Sequence, residues 1–206
     1  MELLKQLSTA LNQSLPGTKA QMRMAPYHRS TIPDARLPSP RQSAVLMLLE
    51  EYQQEPVLIF IKRPNYQGVH SNQIAFPGGK YELSDHSLQH TAQRETNEEI
   101  GVSSTAYNVL GQLTKLYIPP SNFWVQPFLA YANKPLSFSP DQREVAAVLR
   151  IPIRIFTDAK HVQYKRISTQ NNAVIKAPCY VFQDELIWGA TAMLVSELVS
   201  ILNASH

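Results

Sequence analysis

Glu95, Glu98 and Glu99 stand at i, i+3 and i+4 in the segment Arg94-Glu95-Thr96-Asn97-Glu98-Glu99-Ile100-Gly101-Val102. On a helix these three carboxylates share one face. Like charges at that spacing repel, by up to about 1 kcal/mol for an uncompensated trio. Arg94, four residues before Glu98, offsets part of the repulsion, and a divalent cation bound to the face removes the rest. Hard cations such as Mg²⁺ bind through carboxylates and substrate phosphates, so the face suits chemistry on a diphosphate.

Gly78 and Gly79, in Phe76-Pro77-Gly78-Gly79-Lys80, have a matching rationale. A loop that bends sharply and brings its backbone close to a metal or a phosphate needs residues without Cβ. A glycine there lets a carbonyl reach the cation or an amide reach a phosphate oxygen. Taken alone, Glu98-Glu99 reads as a solvated acidic helix. Seven specified positions (Gly78, Gly79, Arg94, Glu95, Glu98, Glu99, Gly101) at about 6% each make a chance match on the order of one in 10⁸ per window. Just before the glycines, Lys62, Arg63, His70 and Gln73 stand where they can meet phosphates, Arg63 foremost. Tyr117, Phe123 and Trp124 flank a Pro119-Pro120 loop, where aromatics are either core or a stacking surface for a base. His86 and His90 have an i, i+4 spacing that can bind zinc, with no third ligand nearby in sequence.

A helix over 84–100 must carry the acidic face. Ser84 or Asp85 is placed to cap its start, and Gly101 stands where a left-handed C-terminal residue is wanted. Upstream, 44–49 and 57–61 are short apolar β-rich runs joined by a polar link, which predicts a hairpin, and 74–76 reads as a further short strand. Downstream, strands are expected at 107–116, 125–132, 145–151, 161–167, 174–182 and 185–188, with a last helix over 190–202. Near the N-terminus, Leu3, Leu4, Leu7 and Leu11 fall at helical spacing, and Pro16-Gly17 stops that helix. Residues 18–41 are rich in proline, show no sustained period, and read as an arm laid over the domain or a partner subunit. The expectation is a mixed α/β domain with a sheet-rich centre at 42–206, preceded by a helix and Pro-rich arm at 1–41.

Composition sets the outer bounds. A chain of 206 residues suits one compact domain that folds without disulfides. The net charge of +3 fits an anionic small substrate, and no segment concentrates Lys and Arg enough to argue for a nucleic-acid surface. A single cysteine, Cys179, excludes an intramolecular disulfide and any cysteine-cluster zinc site, and it fits a reducing compartment. Glu2 and Lys5 interrupt the first leucines, and the longest apolar runs fall far short of the roughly 20 residues that span a bilayer. No membrane partner and a cytoplasmic location are expected.

The 78–102 segment resembles the Nudix box: Gly, five residues, Glu, seven residues, Arg-Glu, an apolar residue, one residue, Glu-Glu, one residue, Gly and an apolar residue. The Arg-Glu half matches with Thr96 in the apolar place. Gly79 lies fifteen residues before Arg94, one more than the pattern, and His86 stands at the first Glu, which leaves Asp85 or Glu82 for that role. The extra residue is similar to the coenzyme A pyrophosphatase-like branch. That branch has an upstream motif of Arg, Ser or Ala, three residues, Arg, three residues, Gly, three residues, Phe-Pro-Gly-Gly. Arg63 and Phe76-Pro77-Gly78-Gly79 keep this spacing, while Pro64, Gly68 and Asn72 replace the Ser/Ala, the second Arg and the Gly. Ile187-Trp188-Gly189-Ala190-Thr191-Ala192 is similar to the branch's C-terminal segment.

The resemblance implies a mixed sheet sandwiched between helices and a metal-dependent pyrophosphohydrolase. Glu95, Glu98 and Glu99 would hold Mg²⁺ or Mn²⁺, with the Gly78 carbonyl as a further ligand, and Arg94 would orient the carboxylates. The base would be Glu95 or Glu144. Arg63, His70, Gln73 and Gly79 would contact substrate. The substrate would be coenzyme A or a derivative, cut to 3′,5′-ADP and a 4′-phosphopantetheine product. The alternatives are another nucleoside diphosphate such as ADP-ribose or NADH, and a Nudix-like ligand-binding or regulatory domain without turnover. The N-terminal helix and arm would suit a homodimer.

Overall fold

The computed structural model describes residues 2–26, 30–64, 72–168 and 174–204. The two apolar runs form the expected hairpin, β1 (Arg41–Tyr52) and β2 (Glu55–Lys62), paired antiparallel from Leu49↔Leu58 to Tyr52↔Glu55. Gln53 and Gln54 turn the chain with φ of 51° and 64°, the backbone of a two-residue turn whose twist matches its strands.

Beyond Leu49 and Leu58 the two strands part, and the chain from 74 to 80 fills the gap. β3 (Ile74–Ala75) pairs with β2 at Ile61 and Lys62, and β4 (Gly78–Lys80) pairs with β1 from Val45 to Ser43. Between them the Leu46 N–H donates to the Pro77 carbonyl at 2.8 Å. The glycines expected in a loop thus form a strand, because the opened hairpin offers them unpaired backbone groups that must be satisfied.

The sheet continues through β5 (Asn108–Gln112), β6 (Leu116–Ile118), β7 (Phe123–Ala132) and β8 (Ala147–Pro152). β7 lies parallel to β1, in register from Arg41↔Phe123 to Glu50↔Ala132. β5 and β6 pair with β7, and β8 pairs with the far edge of β2. The run 107–116, expected as one strand, is two, with a register shift between Val109 and Gly111 and a turn before Leu116. A second, antiparallel sheet holds β9 (Val162–Ser168), β10 (Val174–Phe182) and β11 (Glu185–Trp188).

The helices are α1 (Glu2–Leu11), α2 (Gly17–Gln21), α3 (Leu88–Ile100), α4 (Arg154–Thr157) and α5 (Gly189–Asn203). Alternation along β1 assigns its two faces. Ala44, Leu46 and Leu48 pack with Ala92 and Ile100 of α3. Met47 and Leu49 pack with Leu7, Met24, Met193 and Leu198 on the side of α1 and α5. The mixed sheet is therefore sandwiched between helices, as expected.

Two boundaries differ from the sequence reading. Pro16-Gly17 does not only end α1: Gly17, at φ 61°, opens α2. α2 and a following 3₁₀ turn (Met22–Met24) lie in the stretch expected to be aperiodic. They are held by contacts remote in sequence. Ser196 Oγ donates to the Ala20 carbonyl at 2.8 Å, and Gln21 Nε2 donates to Glu197 Oε2 at 2.8 Å and to the Thr114 carbonyl at 2.8 Å.

α3 starts at Leu88 rather than at 84. Ser87 is its cap, with Oγ accepting from the His90 N–H at 3.1 Å. Asp85 does not cap because its carboxylate is engaged elsewhere.

One buried acid serves the sheet. Glu50, fully buried, accepts from the Leu136 N–H at 2.8 Å and from Arg150 Nε at 3.0 Å, and Arg150 is stacked between Tyr52 and Phe138. Among the described residues no helix is long and apolar enough to cross a membrane.

Candidate active site

α3 lies across the β1–β4 end of the sheet, held by Ala92 and Ile100 on its apolar side. Gly101, at φ 71°, ends it and donates its N–H to the Asn97 carbonyl at 2.9 Å, the left-handed C-terminal residue expected there. The three glutamates are graded in depth: the side chain of Glu99 is 2% exposed, that of Glu95 15% and that of Glu98 55%.

The glycine strand is fitted to these acids. The Gly78 N–H donates to Glu99 Oε2 at 2.8 Å. Gly78 has φ 150°, and a Cβ there would lie 2.3 Å from the Ala44 carbonyl oxygen. At Gly79 a Cβ would lie 2.3 Å from Glu95 Cδ. Neither position admits a side chain without moving backbone or the Glu95 carboxylate. Both glycines are thus explained by close approach, Gly78 to the β1 backbone and Gly79 to the Glu95 carboxylate.

Arg94 is the hub of the charges. Its Nε and Nη2 donate to Asp85 Oδ1 and Oδ2 at 2.9 and 3.1 Å, its Nη2 also to the Lys80 carbonyl at 3.2 Å, and its Nη1 to Glu98 Oε2 at 2.8 Å. The same Nη1 is 3.0 Å from Glu95 Oε1. Asp85 has no exposed side-chain surface. It also accepts from Thr91 Oγ1 at 2.8 Å and the Glu82 N–H at 3.0 Å, with His90 Nδ1 3.0 Å away. Arg94 holds its carboxyl well below the usual range. Of the two acids that the sequence left open for the opening of the box, Asp85 is the one paired with Arg94, and Glu82 contributes its backbone amide. His90 is tied to this acid, and His86 is 5.2 Å from it ring to ring.

Burial pushes Glu99 up to about 7, against the Gly78 amide and the Arg63 guanidinium, which lies 3.7 Å from Glu99 Oε1. Burial also raises Glu95. Arg94 opposes that shift, and the charges of Glu98 and Glu144 add to it. The turn before β8 holds Glu144, whose N–H donates to the Asp141 carbonyl at 3.0 Å, and the Asp141 N–H in turn donates to the Glu99 carbonyl at 3.0 Å, which ties this turn to the end of α3.

Of the residues singled out from sequence, the structure gathers Arg63, Gly78, Gly79, Arg94, Glu95, Glu98 and Glu99 at one end of the sheet. The Gln73 carbonyl accepts the Arg63 N–H at 3.0 Å, which puts Gln73 at the margin. His70 lies outside the described residues, as does Gly68. Lys62 is turned to an ion pair with Glu185 of β11.

The donor set of carboxylates and backbone carbonyls is all hard oxygen, which matches Mg²⁺ or Mn²⁺ and not a soft metal. Among the described residues no three His, Cys, Asp or Glu side chains form a ready-made coordination cluster. Arg94 and Arg63 hold the acids instead, so a cation would have to exchange for guanidinium contacts here.

Fold and site together define the class: a mixed α/β domain with an acidic helix face laid against a glycine strand, as in the resemblance drawn from sequence. Comparison with known proteins agrees. The NUDIX domain family matches residues 40–164. The chain is 32% identical over 151 residues to an uncharacterized Nudix hydrolase NudL of Yersinia enterocolitica, covering 72% of this chain and 75% of that protein. It is 29% identical over 166 residues to the human mitochondrial coenzyme A diphosphatase NUDT8, covering 79% and 70%. In fold it is similar to a Nudix hydrolase of M. smegmatis, RenU, at TM-score 0.57 and 15% identity, covering 88% and 94%. The MutT protein of Methanosarcina mazei Go1 is similar at TM-score 0.51 and 15% identity, covering 81% and 98%. The chain belongs to the Nudix hydrolase family.

Proposed function

We propose that this Nudix hydrolase is a divalent-cation-dependent diphosphatase of coenzyme A or its derivatives, releasing 3′,5′-ADP and a 4′-phosphopantetheine product. The observation that carries the chemistry is the meeting of Gly79 with the Glu95 carboxylate, on the helix face that also bears Glu98 and Glu99. Glu95, Glu98 and Glu99 would hold the cation, Mg²⁺ or Mn²⁺, with the Gly78 carbonyl as a further ligand. When bound, it supplies charge neutralisation at the diphosphate and a lowered pKa for the attacking water.

The protein's own residues do the rest. Arg94, fixed by Asp85, sets the orientation of Glu95 and Glu98. Glu95 or Glu144 takes the proton from water as it attacks phosphorus. Arg63 meets the substrate phosphates at the glycine strand, with Gln73 and His70 near it in sequence. Coenzyme A is supported by the fifteen-residue interval from Gly79 to Arg94, the retained Arg63 and Phe76-Pro77-Gly78-Gly79, and the named activity of the human relative.

A second reading keeps the chemistry and changes the substrate to ADP-ribose or NADH. It is favoured by Gly68 and Asn72, which replace an Arg and a Gly of the upstream motif. A regulatory domain without turnover is disfavoured by the intact acidic trio.

The test is turnover of coenzyme A, ADP-ribose and NADH with Mg²⁺ and with Mn²⁺, products resolved by chromatography. Release of 3′,5′-ADP from coenzyme A, lost with EDTA and in Glu98→Gln, is the expected result. Cleavage of ADP-ribose or NADH alone selects the second reading. Activity surviving in Glu98→Gln removes the acidic face from the mechanism.

A further inference from the structure

We infer that Trp124, Lys115 and Gln42 form a base-binding subsite for the nucleoside half of the substrate, an inference that rests on the diphosphatase reading above. Strand register carries the argument. Gly79, against Glu95, is paired with Ala44 of β1. Ala44, Leu46 and Leu48 face α3, and Gln42 continues that alternation to the open end of the strand. Gln42 is the register partner of Trp124 on β7, and Trp124 is the partner of Tyr117 on β6. Cross-strand partners point to the same face, so these side chains line the face of the sheet that carries the acids. From Gly79, Trp124 is two strands across and two residues along, about 10 Å and about 7 Å, or about 12 Å on the diagonal. That separation suits the reach from diphosphate to base within one nucleotide.

The three aromatics singled out from sequence therefore have different roles. Tyr117 is buried, donates to Asn122 Oδ1 at 2.9 Å, and backs the Trp124 ring at 5.4 Å between centroids. Phe123, one residue from Trp124, lies on the opposite face beneath the Arg41 guanidinium at 4.1 Å. Trp124 is half-buried, and the Lys115 ammonium stands 5.5 Å from its ring centroid. Lys115 Nζ donates to Gln42 Oε1 at 2.6 Å. An ammonium has three donors, and Gln42 accepts one, which holds the charge over the ring. An aromatic base stacks on the Trp124 face that Lys115 uncovers as its ammonium turns to the substrate, because every base has a π-face. Lys115 then pairs with a phosphate on the ribose of that base. This arrangement favours a nucleotide with a ribose phosphate over one without.

The test uses the full chain in EDTA, so that binding is read apart from turnover. Adenosine 3′,5′-bisphosphate, AMP and ribose 5-phosphate are titrated by calorimetry and by tryptophan fluorescence. The bisphosphate is expected to bind and to quench, ribose 5-phosphate to do neither. Trp124→Leu weakens the bisphosphate roughly tenfold or more, and Trp124→Phe keeps stacking and stays within about threefold of the parent. Lys115→Met weakens the bisphosphate roughly tenfold and AMP less. Equal losses for AMP and bisphosphate overturn the role of Lys115. Unchanged binding in Trp124→Leu, or an unchanged KM in that variant while the parent cleaves coenzyme A, overturns the subsite and leaves the diphosphatase reading standing. Bisphosphate binding through Trp124 in a chain that cleaves no diphosphate supports the subsite and removes the reading.

Discussion

Arg94 grips Asp85 through Nε and Nη2 while its Nη1 reaches Glu98 on the same helix and Glu95 beside it. One guanidinium thus joins a fully buried acid in the approach loop to the exposed rim of the acidic face. Its planar fork allows this, since a lysine ammonium has no fixed second direction.

Asp85→Asn is expected to lower stability by roughly 3 kcal/mol, because it leaves Arg94 without its buried partner. Denaturant unfolding at pH 7 measures this. A midpoint within error of the parent's shows that the pair does not hold the loop.

The same pair predicts an acid dependence. The folded-state pKa of Asp85 is depressed by Arg94, so its contribution is present above the unfolded value of about 3.9 and is lost as pH falls through the lower folded value. The parent should lose stability steeply from about pH 4 downward, and Asp85→Asn should show a shallower loss across that window. Parallel curves for the two proteins, followed by thermal unfolding at each pH, sink the assignment.

Gly79→Ala is the sharpest probe of the site. Its Cβ would stand 2.3 Å from Glu95 Cδ, so the carboxylate or the strand must move. A stability loss of about 1–3 kcal/mol is expected, with a much larger effect on turnover, on the order of 100-fold for a displaced catalytic carboxylate. A folded Gly79→Ala protein with parental kcat and cation affinity contradicts the fit of strand to helix.

Glu50→Gln supplies the contrast. This acid is as buried as Glu99, yet its partners are Arg150 and the Leu136 amide, and none of the acidic-face residues. The variant should lose roughly 3–5 kcal/mol of stability while the folded fraction keeps the parental cation dependence. A shifted cation requirement, read from turnover against Mg²⁺ concentration, ties this pair to the site after all.

Arg63→Gln tests the cation nearest Glu99. Removing it should raise KM roughly tenfold, as expected for one lost charge-assisted phosphate contact, with a smaller change in kcat. A fall in kcat at unchanged KM assigns Arg63 to positioning Glu99 instead.

The i, i+3, i+4 glutamates, the double glycine and the apolar runs by themselves determined an acidic helix face, a close-packed turn before it and a sheet-centred α/β domain. Local periodicity and the lack of a Cβ are properties of the chain, and they can be read without coordinates. Other features depended on tertiary structure. Gly78-Gly79 became a strand because the β1–β2 hairpin opens and leaves backbone groups to pair. Asp85 gave up the helix cap to Ser87 because Arg94, nine residues on, is a stronger partner than a backbone amide. Trp124 and Phe123, neighbours in sequence, went to opposite faces, and only the parallel register of β7 with β1 decided which one faces the acids. Such choices rest on groups far apart in the chain, whose meeting is fixed by burial and hydrogen-bond satisfaction in the folded protein.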